Sequence, residues 1–150
     1  MTNNLWLDEA VNTWILQNLG IRTKEMVKSR LRKEAFMEIC KTIANISWRP
    51  HPIAEGVNIK PLATKGEDDL DVTCLLLQVP RGKEIPEHIH DEQVDILYPL
   101  QGEAEMYVEG TGTFALKPGI VVRVPKGTKH KISNVTEELL IYDIFQPATL

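Results

Sequence analysis

Residues 1–49 contain no proline and a single glycine, Gly20. With the two strongest helix breakers nearly absent, that third of the chain is free to run as helix. The chain has only two cysteines, Cys40 and Cys74, far apart and without a partner at metal or redox spacing. That scarcity excludes a disulfide-dense scaffold; two isolated thiols are expected as buried structural residues in a reducing cytoplasm. No stretch approaches the roughly 20 consecutive apolar residues that cross a bilayer, so no membrane partner is expected. The start, MTNNLWLDEAVNTW, lacks a basic segment followed by an apolar run, so no secretory signal is expected either. No aromatic residue interleaves with the basic stretch Lys24–Lys33, which removes the stacking surface of an RNA binder.

What is present fits one folded domain. The chain has 150 residues, with 43% hydrophobic and 25% charged residues, close to a globular average and incompatible with wholesale disorder. The net charge of −4 hides an asymmetry. Residues 1–49 carry eight Lys/Arg against five Asp/Glu, and residues 50–150 carry nine against sixteen. An acidic second region is a poor binder of polyanions, since phosphate contacts need clustered cations. No nucleic-acid partner is expected; the basic stretch reads as a solvated helix face or a subunit contact.

The sign change near residue 49 coincides with a change of texture. Before it, Leu7, Val11, Trp14 and Ile15 recur at helical spacing and end at Gly20. A second helix is expected from a Thr23 cap to about Asn45, with Val27, Leu31, Ala35, Phe36, Cys40 and Ile43 as its buried stripe. After it come all nine prolines and, following Ser47, eight of the nine glycines. Short apolar runs at 71–79, 94–100, 104–108, 113–116, 120–124 and 139–145 alternate with turn signals such as Pro118-Gly119 and Lys126-Gly127. Strands of this length and spacing indicate a sandwich or barrel. The organisation read from the residues is a helical extension over 1–49, packing on the barrel or on a dimer partner, and a β-barrel over 50–150.

Three of the four histidines, His88, His90 and His130, fall in the β region. His88 and His90 are two apart, so on an extended strand both leave one face, with the spacing to chelate a single ion. Asp95 follows five residues on, and His130 arrives forty residues after His90 behind Pro125-Lys126-Gly127. Three imidazoles and a carboxylate suit one divalent transition metal ion, Fe, Mn, Co, Ni, Cu or Zn, rather than Ca or Mg, which prefer oxygen. Glu92 is a rival carboxylate to Asp95. With Asp95 facing inward, alternation would turn Leu97 inward and Tyr98 outward. Of the remaining polar residues, His51 between Pro50 and Pro52 reads as an isolated surface histidine. Arg123 and Asp143, charged within apolar strands, read as facing solvent on a sheet edge, with a substrate anchor as the alternative.

The glycine and proline spacing around these ligands resembles the two motifs of the cupin superfamily. Gly82 is followed by five residues, His88, one residue, His90, four residues, Asp95, six residues and Gly102. Gly119, Pro125, Gly127, His130 and Asn134 match the second motif at every position. Nine of the ten landmarks are identical; the exception is Asp95, where the family usually has Glu. The resemblance implies a mainly β fold, the cupin double-stranded β-helix or jelly-roll barrel, here preceded by two α-helices. It implies a metal inside the barrel held by His88, His90, Asp95 and His130. Asp is one methylene shorter than Glu, so Asp95 either brings its strand closer, binds through water, or leaves a three-histidine site.

Cupins of this size include dioxygenases, isomerases, decarboxylases and lyases, so the expected function is a metal-dependent small-molecule enzyme with its ligand in the barrel. Cupins commonly dimerise, and a homodimer is expected. The alternative is a non-enzymatic sensing module, because the segment Trp48 to Leu62 resembles the entry to the cupin domain of certain anti-sigma factors. Those carry a zinc-binding helical domain in front, whereas residues 1–49 have only Cys40 and no histidine.

Overall fold

The structure, a computed structural model, describes residues 24–150, the side chains of 32–38 excepted. The chain divides into two compact units at Lys41/Thr42. In the first unit α1 runs over Lys24–Ile39. The first expected helix and the Thr23 cap lie outside the described residues. The second helix ends earlier than expected: a separate 3-10 turn occupies Ile43–Asn45, with Thr42 extended in front of it. Ile39, Thr42 and Ile43 are β-branched and gain little from helical backbone. The expected buried stripe also needs correction. Val27 and Leu31 are 39% and 58% exposed, Ile43 is 50% exposed, and Cys40 is exposed rather than buried. Spacing of three and four places side chains on one face; only a second surface buries them.

The second unit is built from eight antiparallel strands. They are β1 Arg49–Pro50, β2 Asn58–Ala63, β3 Thr73–Val79, β4 Ile85–His88, β5 Val94–Val108, β6 Gly112–Leu116, β7 Val122–Val124 and β8 His130–Gln146. A one-turn helix, α2, spans Lys65–Asp68 between β2 and β3, with Thr64 Oγ1 accepting from the Glu67 amide as its cap. Pairing runs β1-β2-β3-β8-β5-β6, with β4 on β8 and β7 on β5. This is the jelly-roll architecture expected from the motifs, and no described helix is long and apolar enough to cross a membrane.

The two long strands each serve two leaves. The 94–97 end of β5 pairs with β7 and with the 143–146 end of β8, while residues 104–108 pair with β6 and residues 105–108 also with the 130–133 end of β8. Pairing between β5 and β8 shifts register three times between Pro99 and Glu105. The alternation of buried residues changes parity there. In β5 the buried positions are Asp95, Leu97 and Pro99, then Ala104, Met106 and Val108. In β8 they are His130 and Ile132, then Val135, Leu139, Ile141, Asp143 and Phe145. One extra residue in a strand flips every following side chain to the other face.

The residues at the flips have left-handed backbone: Gly102 at φ 83° and Asn134 at φ 51°. Gly102 also has no room for a side chain, because a Cβ would collide with the Glu138 carbonyl and the Leu139 backbone. Glycine is the residue that tolerates both constraints. Asn134 donates its side-chain amide to Glu105 Oε2 across the ladder. Inside the barrel the core gathers Leu75, Leu77, Ile85, Met106, Leu116, Val124, Ile132, Leu139 and Ile141. Leu97 is buried and Tyr98 is 45% exposed, as alternation from Asp95 requires.

Candidate metal centre

Each candidate ligand is delivered by a different piece of the barrel. His88 closes β4, directly opposite His130, the first residue of β8. His90 lies two residues past the end of β4, on the way to β5. Its carbonyl accepts from the Gly127 amide at 2.7 Å, which ties the turn before His130 to the His90 segment. Asp95 is the second residue of β5 and is 3% exposed. The ring centroids of the three histidines lie 4.2–5.3 Å apart. One ligand atom from each falls within 4.8 Å of the others, so the group could hold a metal ion.

Hydrogen bonds decide which nitrogens face inward. His88 Nδ1 lies 2.8 Å from the Pro86 carbonyl, and His130 Nδ1 lies 2.9 Å from the Thr128 carbonyl. A carbonyl only accepts, so each Nδ1 carries the proton and each Nε2 presents a lone pair. This is the tautomer-fixing arrangement of a metal-ligating histidine. Asp95 Oδ2 lies 3.4 Å from His130 Nε2 and 3.9 Å from His90 Nε2, which is ion-pair proximity rather than a formed hydrogen bond. Among the described residues, three buried side-chain polar atoms have no hydrogen-bond partner: Asp95 Oδ1, His130 Nε2 and Asp143 Oδ1. Orphaned buried donors and acceptors are costly, and an ion among them would satisfy what the protein leaves open. The donor set fits a borderline divalent ion.

The electrostatics separate the histidines. Burial, opposed by the Pro86 carbonyl and Asp95 and reinforced by His130, holds the His88 pKa below its ordinary value. Burial dominates at His90 too, with Asp95 opposing it, and the net direction is again downward. At His130 burial works against the charge, but Asp95 and the Thr128 carbonyl together outweigh it and the pKa rises. Neutral imidazoles at His88 and His90 are the form that binds metal.

The ligands line a cavity of about 410 Å³ whose walls include Ile59, Leu75, Leu77, Ile85, Ile132 and Phe145. Of the two faces of β3, it is therefore the Leu75 and Leu77 face that borders the cavity. Two residues assigned to solvent from the sequence belong here instead. Asp143 is 4% exposed and lines the cavity; burial first, then the Asp95 charge, holds its carboxyl well above the usual range. Its alternation with Ile141 and Phe145 was the available signal. Arg123 is exposed, as expected. His51 is not an isolated surface histidine: it lines the cavity, and burial together with His88 and His90 lowers its pKa to about 4. No sequence signal marked it, because β1 and β2 join the sheet through contacts distant in the chain. Glu92, the rival carboxylate, is exposed and lies outside the cavity lining.

Residues 75–145 match the family model described as a cupin domain. No curated protein matches the chain significantly. Among solved structures, KdgF from Halomonas sp. is 24% identical, with 71% of this chain and 92% of that one covered at a TM-score of 0.61. A predicted oxalate decarboxylase from Thermotoga maritima is 19% identical, covering 72% and 98% at 0.63. Ectoine synthase from P. lautus is 19% identical, covering 72% and 77% at 0.63. At these identities the likeness is one of fold.

Proposed function

The barrel is a cupin domain, and from that premise we propose that His88, His90, Asp95 and His130 hold one divalent transition metal ion that serves an enzyme acting on a small oxygenated molecule. The observation that carries this reading is the pair of fixed tautomers, which turn the Nε2 lone pairs of His88 and His130 into a cavity where His130 Nε2 finds no protein partner. A bound ion would act there as a Lewis acid on a substrate oxygen. The chain itself supplies the rest. The apolar walls exclude water and hold the body of the substrate, and Asp95 offsets the cationic charge from one side. Asp143, its carboxyl pKa held well above the usual range by burial and by Asp95, is a buried acid whose protonated form would donate a hydrogen bond into the site.

The names of the structural neighbours, a predicted oxalate decarboxylase and an ectoine synthase among them, support an enzymatic role without fixing a reaction. The same reading takes a homodimer as the working unit, supported by Tyr98 and Leu100, which stand 45% and 47% exposed on β5. It takes a reducing, cytoplasmic setting from the two free thiols. Elemental analysis of untagged protein tests the metal centre: wild type should carry about one ion per chain and His88→Ala far less. Equal metal content in the two proteins would defeat the proposal.

A further inference from the structure

His88 and His130 spend their Nδ1 protons on backbone carbonyls and turn lone pairs inward. His51 is wired the opposite way. Its Nδ1 lies 3.1 Å from the Ala54 amide and 3.3 Å from the Ile53 amide, and it accepts from both. A backbone N–H can only donate, so Nδ1 bears the lone pair and the proton of the neutral ring sits on Nε2. The segment is held in place on its other side by the His51 amide, which donates to the Val57 carbonyl at 2.9 Å. Pro50 and Pro52 limit the backbone around it. With one ring edge anchored on the 53–54 backbone, the opposite edge is left for the cavity that His51 lines.

The rest of that lining shows what such a donor could meet. Among the described lining residues there is no lysine or arginine, and two carboxyl groups, Asp95 and Asp143, face in. Most other walls are aliphatic. With no lysine or arginine in the lining, a phosphate group would find no side-chain cation to receive it beyond the metal centre itself. Outside the three metal-site imidazoles, His51 provides the one side-chain N–H among the described lining residues.

We propose that His51 is a ligand-binding residue of this cavity, its Nε2–H donating to an oxygen of a non-phosphorylated, apolar-bodied small molecule held at the three-histidine centre. The assignment rests on the metal reading above, and it makes His51 a donor to the ligand rather than a further metal ligand.

Cobalt(II)-loaded full-length protein, with benzohydroxamate as the probe, tests it. His51→Asn is the informative variant: its side-chain oxygen can take the place of Nδ1 on the 53–54 amides, while its amide N–H groups sit on a shorter side chain that does not reach the position of Nε2. His51→Asn and His51→Phe should bind cobalt as wild type does and bind benzohydroxamate about tenfold more weakly, the worth of one hydrogen bond. Wild-type probe affinity in His51→Asn would reduce His51 to a turn acceptor and overturn the proposal. So would a wild-type protein that binds cobalt but not the probe, or a loss of cobalt in both variants. Failure of wild type to take up cobalt at all would instead strike the metal centre, and this inference with it.

Discussion

The two ends of the β5–β8 ladder carry different chemistry. At one end, where 94–97 meets 143–146, odd-numbered residues face in, and the inward polar groups are two carboxyls, Asp95 and Asp143. At the other, where 105–108 meets 130–133, even-numbered residues face in, and the inward polar group is the His130 imidazole. Without the parity changes at Gly102 and Asn134, one end or the other would point its polar groups at solvent. The metal centre is therefore a product of two backbone irregularities as much as of four side chains. Asp143 at the acid end and His51 on the cavity wall have pKa shifts of opposite direction, and that makes them separable by experiment.

The largest contrast expected is in metal content. His130→Ala should leave essentially no bound ion by elemental analysis. Asp95→Asn should weaken binding by roughly 10–100-fold, because the carboxylate approaches two of the three imidazoles without belonging to their close cluster. Equal losses would place Asp95 on a par with the histidines. Next comes the bend that joins the two ends. Gly102→Ala combines left-handed strain with a backbone collision and should cost about 3 kcal/mol or more in urea unfolding. Gly119→Ala, at φ 90° with open space around it, should cost only about 1–2 kcal/mol. Similar costs would mean that the approach to Glu138 relaxes easily.

Smaller effects separate Asp143 from His51 by pH in metal-free protein. Asp143 has a folded pKa above its unfolded one, so the fold binds the extra proton. Its stabilisation is present at low pH and is lost as pH rises through the folded value. Asp143→Asn should abolish that loss, read as a flatter melting temperature against pH on the alkaline side. His51 runs the other way. With its pKa lowered to about 4, the unfolded chain binds more protons between there and the ordinary 6.5. Stability from His51 is full above 6.5 and falls toward pH 4, and His51→Asn should make that acid-side decline shallower. An unchanged decline would assign it to His88 and His90, whose pKa values are also lowered.

Much of the barrel could be read along the chain. Runs with period-two alternation, such as 73–79 and 94–98, marked strands because each residue's neighbours two away share its face. The glycines and Pro125 marked where the chain must turn to return the histidines to one place. Reading failed where burial depends on a surface supplied from elsewhere. The apolar spacing of α1 gives a stripe but no cover for it, Asp143 is a charge in an apolar strand with nothing nearby in the chain to mark it as buried, and His51 stands alone between two prolines.

By itself the sequence determined the local matters: which residues alternate, where φ must turn positive, and which side chains can ligate a metal. Those follow from each residue and its near neighbours. Only the tertiary structure decided that His51 and Asp143 share a cavity with the imidazoles, and which ring nitrogens carry protons. Those facts depend on strands far apart in the chain and on single backbone carbonyls and amides, whose positions no spacing encodes.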